Sequence, residues 1–190
     1  MSLSGGFWRH QLLLAPLLFV AFASSFPSVL RATGSADRQG CRTSRFAISL
    51  GPEISPPTGQ HPLAFRLDNR GAACLLHGYP AVSLFDGRGH VLPFAMRNGG
   101  DQVVMSRLPG NVRVERGGSV WIVLDKYRCD LQEVASAHSI RVRLPGTERA
   151  DRVGRAIPRW LGIGYCGKGD PGSIVYVSPV EPTFRAALAH

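Results

Sequence analysis

Beyond a first apolar segment, apolar and polar residues alternate with a period of two through most of the chain, the pattern of half-buried strands. RFAISL (Arg45 to Leu50) alternates and stops at Gly51-Pro52, and the proline-rich run from Gly51 to Pro62 reads as a loop. Leu63, Phe65 and Leu67 share one face of the next strand, Leu63 to Asn69. Ala81 to Asp86, the turn Gly87-Arg88-Gly89 and HVLPFAM (His90 to Met96) together predict a hairpin. Asn98-Gly99-Gly100 is a second turn before DQVVMSRL, and Gly117-Gly118 turns the chain into a strand from Val120 to Tyr127. In SIRVRLPG, Ile140, Val142 and Leu144 face inward while Arg141 and Arg143 face out. A strand over Ala156 to Ile163 and SIVYVSP complete the set. Helical patterning is nearly confined to Asp130 to Ala137, where Asp130 and Glu133 have capping-box spacing and predict a short turn of helix. The count of about eight or nine short strands with glycine and proline turns predicts an all-β fold, an antiparallel immunoglobulin-like β-sandwich, with a closed barrel as second choice.

Length and composition narrow the class. At 190 residues with 44% hydrophobic content, the chain fits one folded domain and excludes global disorder. Only one apolar stretch approaches spanning length, which excludes a polytopic membrane protein. That stretch, Leu12 to Phe22, follows Arg9 and His10 and precedes the small residues Ala21-Phe22-Ala23 and Gly34-Ser35-Ala36, as a signal peptide would. The first candidate cleavage site sits better, directly at the end of the apolar core. No charge falls between Leu12 and Leu30, so an uncleaved membrane anchor is the alternative. The expected organisation is a signal or anchor with a short linker over residues 1–36, a β-sandwich over 37–182 and a flexible tail over 183–190. A secreted protein, or one held on the outer face of the plasma membrane, is the expected location.

All four cysteines, Cys41, Cys74, Cys129 and Cys166, lie beyond this segment, and an even count in an exported chain predicts two disulfides. Four cysteines allow three pairings, and spacing does not choose among them; the local choice joins Cys41 to Cys74 and Cys129 to Cys166. None of the spacings is short enough for a zinc site.

The formal charge of +9 is almost wholly arginine, Lys126 and Lys168 being the only lysines. The densest basic stretch comprises Arg141, Arg143, Arg149, Arg152 and Arg155, and makes a candidate anion-binding face for an envelope polymer or lipid headgroup. Gly154 and Pro158 argue against a lasting helix there. Export argues against nucleic acid as the partner. Gly162, Gly164 and Gly167 match the dinucleotide pattern, but Lys168-Gly169-Asp170-Pro171-Gly172 cannot open the helix that chemistry needs, so no cofactor is expected. No G-x-S-x-G elbow, H-E-x-x-H pair or phosphate-binding loop occurs. A hydrolase would have to assemble its site in space, for example from His77, His90 or His138 with Asp68 or Asp125. A copper carrier would draw on His90, Met96 and Met105. A non-catalytic binding or structural module is the leading expectation.

The block LDNRGAACLLHGYPAVSLFDGRG, from Leu67 to Gly89, combines Asn69, Gly71, Cys74, Gly78-Tyr79-Pro80 and Asp86-Gly87. It resembles the opening of an actinobacterial exported family, domain of unknown function 4232. The resemblance continues through Trp121, Cys129, RVRLPG, Cys166 and VSPVEP, covering about Cys41 to Pro182. It implies a secreted or membrane-anchored β-sandwich with the cysteines paired locally, and brings no catalytic residue. The chain departs from many members in lacking a lipobox, since Cys41 follows Asp37-Arg38-Gln39-Gly40. Within the block, Asn69 and Gly71 suit a turn with a left-handed residue.

Overall fold

The structure, a computed structural model, describes residues 40–55, 59–161 and 163–189. The expected leader and linker lie outside these, as do Gly162 of the glycine pattern and His190. Among the described residues the chain is all-β and has no α-helix. In order its strands are β1 (Phe46–Leu50), β2 (Leu63–Asn69), β3 (Cys74–His77), β4 (Ala81–Phe85), β5 (Ala95–Asn98) and β6 (Asn111–Val114), then β7 (Ser119–Asp125), β8 (Ala135–Ala137), β9 (Ser139–Arg143), β10 (Val153–Ala156), β11 (Ile163–Tyr165) and β12 (Ile174–Val177). These are twelve strands where about eight or nine were expected, because several predicted runs break in two.

A five-stranded sheet runs β1-β2-β7-β12-β5. A three-stranded sheet, β10-β9-β4, and the two-stranded pairs β11-β8 and β3-β6 complete the set. Pairing is antiparallel except between β5 and β12, which run parallel. Alternation chooses the faces. Leu63, Phe65 and Leu67 of β2 and Val120, Ile122 and Leu124 of β7 point into one buried cluster. Ile140, Val142 and Leu144 meet them from the β9 side, and Leu76, Val112 and Val114 from the β3-β6 ribbon. One core therefore unites the sheets in a sandwich-like arrangement.

The outer face of the five-stranded sheet is covered as well. Ala64 and Val123 are buried there with Val103, Val104 and Ala187. The cover comes from the loop after β5 and from the chain end. Val104 bridges Leu188, the Ala189 N–H donates to the Val103 carbonyl at 2.7 Å, and Phe184 packs its ring 5.5 Å from that of Trp121. The residues from Thr183 to Ala189 are thus a docked element and not the flexible tail expected. The buried Glu181 holds the cover in place, accepting two bonds from the Arg107 guanidinium at 2.7 and 3.3 Å.

Three further expectations are corrected. Asp130 to Val134 is irregular and leads directly into β8; the Glu133 carboxylate accepts from the Ser136 hydroxyl instead of closing a helical capping box. The hairpin after β4 ends early: Val91 bridges Phe85, and beyond Pro93 the chain crosses to the other sheet as β5. The single strand expected over Ala156 to Ile163 is divided into β10 and β11 by a turn of 3-10 helix at Arg159–Leu161.

Asp125 of β7 sits on the covered outer face and is 1% exposed. Burial first, and then the Asp101 carboxyl beside it, push its pKa from 3.8 up to about 8. A raised carboxyl pKa means that the folded state holds a proton that the unfolded state releases, so its stabilising effect is complete below pH 3.8 and is lost as pH rises to about 8. In chelator-treated protein, Asp125→Asn should flatten this part of the Tm profile. The variant should match the parent in acid and exceed it above pH 8 or so, as thermal unfolding across a pH series would show.

Candidate anion-binding site

The site grows from one buried amide at the end of β2. The Asn69 Nδ2 group donates to the carbonyls of Ala72 at 2.9 Å and of Val114 and Glu115 at 3.2 Å, and its Oδ1 accepts from the Gly71 N–H at 2.8 Å. Its backbone bonds Gly117 and Gly118 as well, so the turn after β2 is tied to the turn after β6. The Arg70 N–H donates to the Arg45 carbonyl at 2.8 Å, which adds the 3-10 turn Thr43–Arg45. The Cys41–Cys74 disulfide closes the same corner. Gly71 is not left-handed, contrary to expectation. Glycine is favoured there by space, since a Cβ would lie 3.0 Å from that of Arg45.

These ties gather Arg42, Arg45, Arg70 and Arg116 around a cleft of about 550 Å³, floored by the disulfide and Asn69. No carboxylate lines it, and among the described residues none of the four arginines makes an ion pair. Asp151 lies beside Arg42 and accepts from the Thr43 and Ser44 N–H groups at 2.5 and 2.7 Å. Burial works to raise its pKa, but the Ser44 and Thr43 donors and the Arg42 charge outweigh it and hold the carboxyl below its ordinary range. The carboxylate is thereby occupied in fixing the turn that carries Arg42 and Arg45. Arginines that line one cleft with no carboxylate among its lining residues suit phosphate, sulfate or carboxylate oxygens.

The arginines expected from sequence are dispersed by comparison. Arg141 lays its guanidinium 4.3 Å from the centre of the Phe85 ring, covering an apolar surface. Arg143 donates to the Thr147 carbonyl and Arg152 to that of Arg149. Arg141 and Arg152 share a shallow concavity, whereas Arg155 pairs in register with the inward-facing Ile140 and so belongs to the other side of its sheet. The residues of the cleft were missed because they are far apart in sequence. Arg70, inside the Asn-Arg-Gly turn, was the available pointer.

The rival sets are not assembled. His90 pairs with Asp86 at 3.3 Å in an exposed turn, Met96 packs against the main core from β5, and Met105 lies in the loop on the opposite face of that sheet. His77 is exposed on β3, His138 packs beside Gly87 between β8 and β9, and Asp68 is taken up by Ser119 and Arg66. Among the described residues no group of three or more His, Cys, Asp or Glu side chains is placed to hold a metal ion. Both disulfides, Cys41–Cys74 and Cys129–Cys166, are present as the resemblance implied, and they fit an oxidising compartment. No helix among the described residues is long and apolar enough to cross a membrane.

Replacing Asn69 tests the scaffold. Asn69→Ala leaves buried carbonyls unpaired and should cost about 2–4 kcal/mol, lowering Tm by roughly 10 °C. Asn69→Asp should cost more, because it sets a carboxylate against three carbonyl oxygens. Thermal unfolding of both variants checks the order.

No curated protein and no solved structure matches the chain. The family model described as "Domain of unknown function (DUF4232)" does match, over residues 41–179, a span that takes in the four arginines of the cleft, both disulfides and all twelve strands of the described residues. The chain belongs to that family.

Proposed function

We propose that the domain is an exported, non-catalytic binding module of the cell envelope that grips an anionic component, a phosphate-bearing polymer or lipid headgroup, through the cleft of Arg42, Arg45, Arg70 and Arg116. The observation that carries this reading is that four arginines line one cleft with no carboxylate in its lining. Such a site gives phosphate oxygens several charge-assisted hydrogen bonds at once. The net charge of +9 adds a long-range attraction that concentrates polyanions near the surface. The two disulfides and the apolar stretch from Leu12 to Phe22 support secretion or attachment to the outer face of the plasma membrane. Arg141 and Arg152 would add a second, weaker contact surface.

Sedimentation of the purified protein with cell-envelope fractions across a salt series tests the proposal. Binding should weaken steeply with salt. Arg70→Glu and Arg116→Glu should each reduce it by about tenfold or more. Arg141→Glu and Arg152→Glu should have a smaller effect. Absence of binding at low salt would overturn the reading, and a greater loss from the Arg141 and Arg152 variants would move the site to that face.

A further inference from the structure

A second cluster of polar groups lies at the far end of β7, beneath the cover of the outer sheet face. Leu63 pairs with Leu124, Gln60 bridges Tyr127, and Tyr176 pairs with Asp125. Since Leu63 and Leu124 point into the main core, this register puts Gln60, Asp125, Tyr127 and Tyr176 together on the outer face. Asp101 descends on them from the covering loop. Its Oδ1 is committed to the N–H groups of Val103 at 2.8 Å and Val104 at 2.5 Å, which orients the carboxyl and leaves Oδ2 free of them.

Five buried atoms in this cluster lack a hydrogen-bond partner of ordinary geometry: Oε1 and Nε2 of Gln60, Oδ2 of Asp101 and both carboxyl oxygens of Asp125, the two carboxyls standing side by side. Gln60 is 4% exposed, and Asp125 scarcely at all. Buried polar atoms are normally paired, so orphans of this number at one place need a partner. The neighbouring cations do not provide it. Lys126 is next in sequence but belongs to the opposite face, where its Nζ lies 3.7 Å from Cys166 Sγ; His61 shares that inner register. Arg97 pairs with Tyr176 from the edge strand β5, but it is exposed and makes no ion pair with either aspartate among the described residues.

We propose that Gln60, Asp101 and Asp125 form a binding site for a hard divalent cation of the calcium or magnesium class. The available ligand atoms are all oxygens: Asp101 Oδ2, the Asp125 carboxylate and Gln60 Oε1. That donor set suits hard ions, and two carboxylates neutralise a divalent charge. A proton shared by the two carboxyls would satisfy part of the cluster but would leave Gln60 Oε1 without a partner, whereas an ion engages both carboxyls and the amide oxygen together. Because Asp101 belongs to the cover and Asp125 to the sheet, the ion would fasten one to the other.

The test is thermal unfolding of the purified, chelator-treated protein at neutral pH, with calcium alone and magnesium alone at millimolar concentration. One of them should raise Tm by about 5 °C, and calorimetry should show one ion bound per chain with release of protons. Asp101→Asn and Asp125→Asn should lose the shift. Gln60→Glu, which adds a third carboxylate, should tighten binding by about tenfold, a gain that a purely structural glutamine would not give. No shift with either ion would overturn the proposal and leave a proton shared by the two aspartates as the occupant. An equal shift in the parent and in both asparagine variants would overturn it as well, by placing the ion elsewhere.

Discussion

The Asn69 amide is the joint on which the basic end of the domain depends. Its side chain meets three carbonyls and one N–H, and its backbone meets two glycines of the next turn. An asparagine can do this because its head group both donates and accepts in one plane; aspartate offers no donor to the carbonyls, and glutamine would need more room. Held this way, three stretches distant in sequence bring their arginines to the same cleft. The geometry of a charged surface is thus set by a neutral, buried group, and the disulfide at Cys41–Cys74 reinforces the same corner.

The five-stranded sheet is covered on one face and over the middle of the other, while Arg66 and Arg97 on that second face stay exposed. One face packs against the other strands, and the middle of the second is covered by a loop and the chain end through Val104, Ala187 and the Glu181–Arg107 pair. This cover turns Asp125 from an ordinary outward-facing residue into a buried acid, and leaves Gln60 in the same condition. Lys126, one position further on, is likewise buried, and burial is the main cause of its lowered pKa. Two successive ionisable residues therefore point to opposite interiors, and Asp125 acts on Lys126 less than Glu133 and Asp170 do.

Much of the main core was legible from alternation. Leu63, Phe65 and Leu67, and Ile140, Val142 and Leu144, lie where the period of two places them. The burial of Ala64 and Val123 was not legible, because it depends on a cover contributed by residues far along the chain. The parallel pairing of β5 with β12 escaped for a similar reason: both strands are short, and nothing local in either names its neighbour. At Asp130 and Glu133 a local signal was present but overruled, with Cys129 tied to Cys166 and the Val134 N–H bonded to the Tyr165 carbonyl. Candidate binding residues followed the same logic. Sequence density singled out Arg141 to Arg155, yet strand alternation and local bonds dispersed them, while the convergent set was assembled by tertiary contacts alone.

The position of β12 has a consequence for the order of folding. This strand, the last among the described residues, lies inside the main sheet, between β7 and β5, and β5 has no other neighbour in that sheet. Until Ile174 to Val177 are free to enter, β5 has no edge to join and the sheet stops at β7. Such late, long-range closure carries a high entropic cost before it is rewarded, so slow folding is its kinetic signature. A domain built this way leaves the open edge of β7 unpaired, and β5 without a neighbour, until the twelfth strand has taken its place.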